Sequence, residues 1–134
     1  MLPEFTILCL TLFHEGSICS EAELSAIART IQVRAEERKT SIRKECLRPY
    51  QYSCWNGYAK KHKILRAYQG GAIQASPAWK RCKRVAQALY DGDLASMPRW
   101  NHYHCKDMKK KPVWSKDLTQ KRRYDNHIFG RIGK

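Results

Sequence analysis

Residues 3–16 read PEFTILCLTLFHEG, and the rest of the chain is arranged around this stretch. Pro3 suits the first turn of a helix, where its missing N–H costs nothing. Positions 4–14 are then almost wholly apolar, so the expected helix has no wet face and is buried on most sides. Gly16 and Ser17 end it. The apolar run from Phe5 to Phe13 has no Lys or Arg before it and Glu4 beside it, which does not fit a signal peptide. Nine helical residues span about 14 Å, well short of a bilayer's core of roughly 30 Å. The expectation is a buried helix in a chain without a transmembrane segment, made in a (host) cytoplasm without a signal peptide.

Outward from this helix, Ser20 and Glu23 have the spacing of a capping box. Leu24, Ile27, Ala28, Ile31 and Ala35 follow at helical spacing, predicting an amphipathic helix over about 21–36. Residues 37–58 read as irregular, with Pro49 and Gly57 as breakers. A short basic helix over 60–68 is expected to stop at Gly70-Gly71. Ser76-Pro77 starts another, with Trp79, Cys82, Val85, Ala86 and Leu89 on its apolar stripe and Gly92 after it. Residues 99–105 and 124–131 read as two short strands joined by a lysine-rich connection. The fold class is α+β, mainly helical with a small antiparallel sheet, in a single domain over 1–134.

The formal charge is +14, from 26 Lys+Arg against 12 Asp+Glu. Residues 1–29 carry four acids and one base, so the excess lies in the remainder. Such a surface concentrates on polyanions, either nucleic acid or an anionic bacterial envelope. The six cysteines, at 9, 19, 46, 54, 82 and 105, include no Cys-x-x-Cys pair, which argues against a ribbon-type zinc site. Cys9, Cys46 and Cys82 sit among apolar residues and read as buried thiols, with a disulfide left open.

Glu15 is the acid that stands out. It closes an apolar helix, where desolvation and the negative end of the helix dipole both raise a carboxyl pKa. A carboxyl that keeps its proton near neutral pH is what glycosidic acid catalysis requires.

A series of motifs adds a family. Leu12-Phe13-His14-Glu15-Gly16, followed by Ile27-Ala28 and Ile31-Gln32-Val33-Arg34, resembles the opening of the spore cortex-lytic, cell-wall hydrolase family. Tyr50-Gln51-Tyr52-Ser53-Cys54-Trp55-Asn56 resembles its Gln-Phe-Ser-Trp segment, and Pro77-Ala78-Trp79 with Cys82 its Pro-x-Trp-x-x-Cys helix. His102-Tyr103-His104, Pro112-Val113-Trp114 and Asn126-His127-Ile128-Phe129 resemble its later motifs, in the family's order. The resemblance implies a lysozyme-like, lytic-transglycosylase-like fold. It implies cleavage of peptidoglycan glycan strands between N-acetylmuramic acid and N-acetylglucosamine, with the catalytic role on Glu15. It also implies a phage-type endolysin that acts on the cell wall or periplasm after release. There are departures. The family's second Glu falls on Cys19, with Glu21 the open candidate to replace it, and the Asn before Arg34 is Val33. With no second acid matched, transglycosylation is favoured over hydrolysis, which normally uses two carboxylates.

Around Glu15 the expected substrate-binding residues are His14, Gln51, Tyr52, Ser53, Trp55, His102, Tyr103 and His127. Gln51 and Ser53 suit sugar acetamides, or simply shape a turn. Tyr52, Trp55 and Tyr103 suit sugar faces, or pack in the core. His14 can orient the acid, and His102, His104 and His127 can ring the site or make structural hydrogen bonds. Lys109–Lys111 and Lys121–Arg123 are solvated faces that can hold the anionic envelope. No cofactor, metal or nucleic-acid partner is expected, and the expected state is a monomer. One rival is a nucleic-acid-binding protein, in its sharpest form a metal nuclease with His102, His104 and Cys105 as ligands. Another is a non-catalytic wall-binding module, which usually shows repeats that are not seen here.

Overall fold

The computed structural model of the protein describes residues 2–133. It is α+β, and about half of the chain is helical. Five helices come first: α1 (Glu4–Gly16), α2 (Glu21–Glu37), α3 (Ile42–Cys46), α4 (Tyr58–Gln69) and α5 (Pro77–Tyr90). Three strands follow: β1 (His102–Cys105), β2 (Thr119–Arg123) and β3 (His127–Arg131). They form one antiparallel sheet in the order β1-β3-β2.

The apolar run of α1 is the centre of the core. Leu8, Cys9, Leu10 and Leu12 have no exposed surface, and α1 packs against α2, α3 and α5. The polar Thr11 is tolerated there because its hydroxyl donates to the Ile7 carbonyl at 2.8 Å. That hydroxyl oxygen also accepts from Trp55 Nε1 at 2.8 Å. Gly16 ends the helix where a side chain would not fit. A Cβ there would lie 3.0 Å from Cys19 Sγ and from Ile27 Cδ1, both buried. Cys9 and Cys46, buried in this core, have thiol pKa values pushed up to about 12 by desolvation, and Cys82 to about 11. All six cysteines are free thiols. No helix among the described residues is long and apolar enough to cross a membrane.

Three local expectations change. The capping box at Ser20 is half made: its hydroxyl accepts from Glu23 N–H at 3.2 Å. The Glu23 side chain turns away, into the interior, towards Asn126 and His127. Residues 37–58 are not wholly irregular, since α3 forms there with Ser41 accepting from Lys44 N–H at 3.0 Å. The lysine-rich connection holds a whole strand, β2, all five residues of which are exposed. A strand with no buried face has no alternating pattern to read. The two anticipated strands are also shorter than 99–105 and 124–131, and β3 is the central strand of the sheet.

The sheet is fastened to α2 by arginine. Arg34 Nε donates to the Asn101 carbonyl at 2.6 Å, Arg29 reaches the carbonyls of Ala95 and Pro98, and Arg131 pairs with Glu37. Each guanidinium also places at least one donor of its fork on a backbone carbonyl ahead of β1, Arg131 on that of Arg99 at 2.8 Å. This clamp holds the N-terminal end of β1 over α2, facing the end of α1.

Candidate active site

Glu15 is half-buried at the last turn of α1. It lines a polar cleft of about 340 Å3 with Arg34, Arg38, Gln51, His102, Tyr103 and Trp114. Three elements converge here: the end of α1, the C-terminal half of α2, and β1 at the edge of the sheet. Among the described residues Glu15 is the only acid lining this cleft.

The Tyr103 hydroxyl donates to Glu15 Oε1. Strand alternation aims this ring at the helices: Tyr103 faces Phe129 across the β1–β3 pair, with ring centroids 5.2 Å apart. Burial raises the Glu15 pKa. The Tyr103 hydrogen bond, then the charges of His127 and Arg34, oppose that rise without cancelling it. The carboxyl therefore keeps its proton to higher pH than an exposed Glu.

The expected site residues divide. Gln51, His102 and Tyr103 line the Glu15 cleft. His102 is held neutral, with a pKa near 4, by burial and then by the charges of Arg34 and Arg38. His14 and Ser53 line a neighbouring pocket of about 400 Å3 with Cys54, Lys60, Lys63 and Ile64. Glu15 does not line that pocket, and its sequence neighbour His14 does. The pocket's Cys54 lies close enough for the Glu15 carboxylate to help raise the thiol to about 12, though burial contributes more.

Tyr52 and Trp55 are core residues, 1% and 4% exposed, and neither can serve as a sugar platform. The Tyr52 hydroxyl accepts from Arg34 at 3.2 Å, so it positions the guanidinium from behind. His127 is buried as well, with Nδ1 2.8 Å from Glu23 Oε2, and does not line the Glu15 cleft.

Arg34, Arg38 and Trp114 are cleft residues that the sequence did not single out as site residues. Arg34 and Trp114 lie in quoted motifs, so the signal was present; Arg38 carries no such mark. It is held in place by Glu45, fully buried at 2.7 Å. Trp114 packs edge-on against His102 at 4.7 Å. Glu21, the acid that the sequence left open as a second carboxylate, is not in the cleft. Glu21 is at the surface, paired with Arg84 at 2.7 Å, whereas Glu23 is fully buried beside Cys19.

The metal set of the nuclease rival does not assemble. His102 and His104 share one face of β1 and Cys105 points from the other, because successive strand residues alternate. Among the described residues the group of His, Cys and acidic donors that does converge is Cys19, Glu23 and His127.

No protein-family model, curated protein or solved structure matches this chain.

Proposed function

We propose that the protein cleaves the bond between N-acetylmuramic acid and N-acetylglucosamine in peptidoglycan glycan strands, with Glu15 as the general acid. The observation that carries this reading is the Glu15 carboxyl. It is desolvated, raised in pKa, held by Tyr103, and open to a polar cleft with no second acid.

Glu15 protonates the bridging oxygen as the glycosidic bond breaks through an oxocarbenium-like state. Its carboxylate then takes the proton from the sugar's own 6-hydroxyl, which closes on the anomeric carbon. The bridge oxygen leaves with one proton and Glu15 regains one, so the acid is restored. Because inverting and retaining hydrolysis both use a pair of carboxylates, a lone acid supports the lytic-transglycosylase course. Gln51 and Arg38 offer hydrogen-bond donors to acetamide carbonyls, and Trp114 with His102 offers ring surface to a sugar face. In this reading the fold is lysozyme-like. The basic surface of β2 and the Lys109–Lys111 segment holds the anionic envelope, and the enzyme works as a phage-type endolysin released to the wall from the cytoplasm.

The test is digestion of purified sacculi followed by mass spectrometry of the muropeptides. Anhydro-sugar ends are expected from the wild type and none from Glu15→Gln. Reducing ends would replace the transglycosylase course by hydrolysis. No glycan cleavage, with nucleic acid degraded in a parallel assay, would end the proposal.

A further inference from the structure

We infer that Cys19, Glu23, Cys105 and His127 form a binding site for a zinc-class divalent cation behind the catalytic cleft. The site stands without the glycosidase reading.

Three of the four donor atoms are already gathered. Cys19 Sγ lies 3.9 Å from His127 Nδ1, and His127 Nδ1 lies 2.8 Å from Glu23 Oε2. All three donors fall within 4.8 Å of one another, and all three residues are buried. Zinc bonds of about 2.3 Å to sulfur and 2.0–2.1 Å to nitrogen or oxygen put tetrahedral ligands about 3.3–3.8 Å apart. The Cys19–His127 and His127–Glu23 separations therefore need to change by only about half an ångström each to admit an ion.

Two secondary-structure relations supply the donors in pairs. Cys19 precedes the α2 cap and Glu23 is four residues on, in the first turn. Cys105 and His127 are direct partners in the β1–β3 register, which places their side chains on one face of the sheet. Cys105 is not among the three converged donors, and it supplies the fourth ligand by turning in from the exposed side of that face. It is also exposed, which gives an ion a way in.

The surroundings are those of a supported site. Asn126 N–H donates to Glu23 Oε2 at 3.0 Å and its Nδ2 to Oε1 at 3.1 Å, fixing the carboxylate from outside as partners of metal ligands do. The ion displaces the two thiol protons, and His127 binds through Nδ1 as neutral imidazole with its proton on Nε2, so affinity rises with pH. The bound ion ties the α1–α2 turn to the central strand. The His127 ring packs edge-on against Tyr103 at 5.4 Å, so the same clamp braces the residue that holds Glu15.

The experiment uses the full chain, reduced and stripped with a chelator, then titrated with Co2+ and Zn2+. The expected result is one ion per chain, a thiolate-to-cobalt charge-transfer band, and a melting temperature that rises with Zn2+ and falls again with chelator. Cys19→Ser and His127→Gln, each checked for native circular dichroism, should bind at least about 100-fold more weakly, since losing even a second-shell partner costs 10–100-fold. Cys105→Ser should lose about half of the charge-transfer band. His104→Gln, on the other face of β1, should bind as the wild type does. No cobalt band and no Zn2+-dependent rise in melting temperature in the wild type would overturn the site. So would loss of binding in His104→Gln with binding kept in Cys19→Ser.

Discussion

Replacing Glu15 with Gln separates chemistry from folding. The amide has the carboxyl's shape and its oxygen still accepts from the Tyr103 hydroxyl, so the contact at the end of α1 survives. What is lost is the transferable proton. General acid–base catalysis contributes about 10²–10⁴-fold, or about 3–5 kcal/mol of barrier. A loss of that size or more in glycan cleavage is expected. Stability should move the other way. Glu15 has a folded-state pKa above its unfolded one. The folded chain therefore gains from its protonated form at low pH and loses that gain as pH rises through the folded pKa. Gln cannot ionise and does not pay that penalty. Hence Glu15→Gln should melt close to wild type at acidic pH and progressively above it as pH rises towards neutral. Turbidity loss of sacculi gives the activity, and melting curves across a pH series give the stability. Full activity in the variant, or a melting difference that shrinks as pH rises, would refute the assignment of Glu15 as a desolvated acid. Glu15→Ala is a poorer probe, because leaving the Tyr103 hydroxyl unpaired costs about 1–3 kcal/mol by itself.

Tyr103→Phe keeps the ring against Phe129 and removes the donor that favours the ionised carboxyl, so the alkaline limb of the kcat/KM profile should move to higher pH; an unchanged limb would remove Tyr103 from the acid's environment. Trp55→Phe breaks the bond from Nε1 to the buried Thr11 hydroxyl and should cost about 1–3 kcal/mol by denaturant melt. Cleavage measured well below the melting temperature should be unchanged, which a sugar-platform role would not allow. Gly130→Ala places a Cβ 2.9 Å from Leu118 Cδ2 and 3.1 Å from the Thr119 carbonyl, so β2 must shift and the expected loss is about 1–3 kcal/mol; a melt at or above wild type would contradict the packing of β2 on β3.

Four of the five helices were legible because their signals are local, while the short α3 lay in a stretch read as irregular. An unbroken apolar run announces α1, and Ser76-Pro77 with its stripe announces α5, where Ser76 does accept from Trp79 N–H. Tyr52 and Trp55 looked like site residues because a motif holds aromatics and polar groups in one line of sequence, while burial depends on neighbours far along the chain. The Trp55 partner, Thr11, is 44 residues away. β2 was missed for the opposite reason, since five exposed residues carry no burial pattern at all. Glu23 misled in a third way. Its spacing from Ser20 fits a capping box, but a contact with His127, 104 residues away, takes its side chain instead. A buried carboxylate gains more from three directed donors than from one exposed cap.

The sequence alone determined that one apolar helix would form a core and that Glu15 would stand at its foot, because hydrophobic periodicity and helix termini are set by residues a few positions apart. Only the tertiary structure decided which groups face that acid. Tyr103 and Arg34 reach it from a strand and a helix distant in sequence. Arg38, Trp114 and the buried Glu23–His127 pair are placed by the same packing. Proximity across the chain is settled by how apolar faces close on one another, and no spacing along the chain records it.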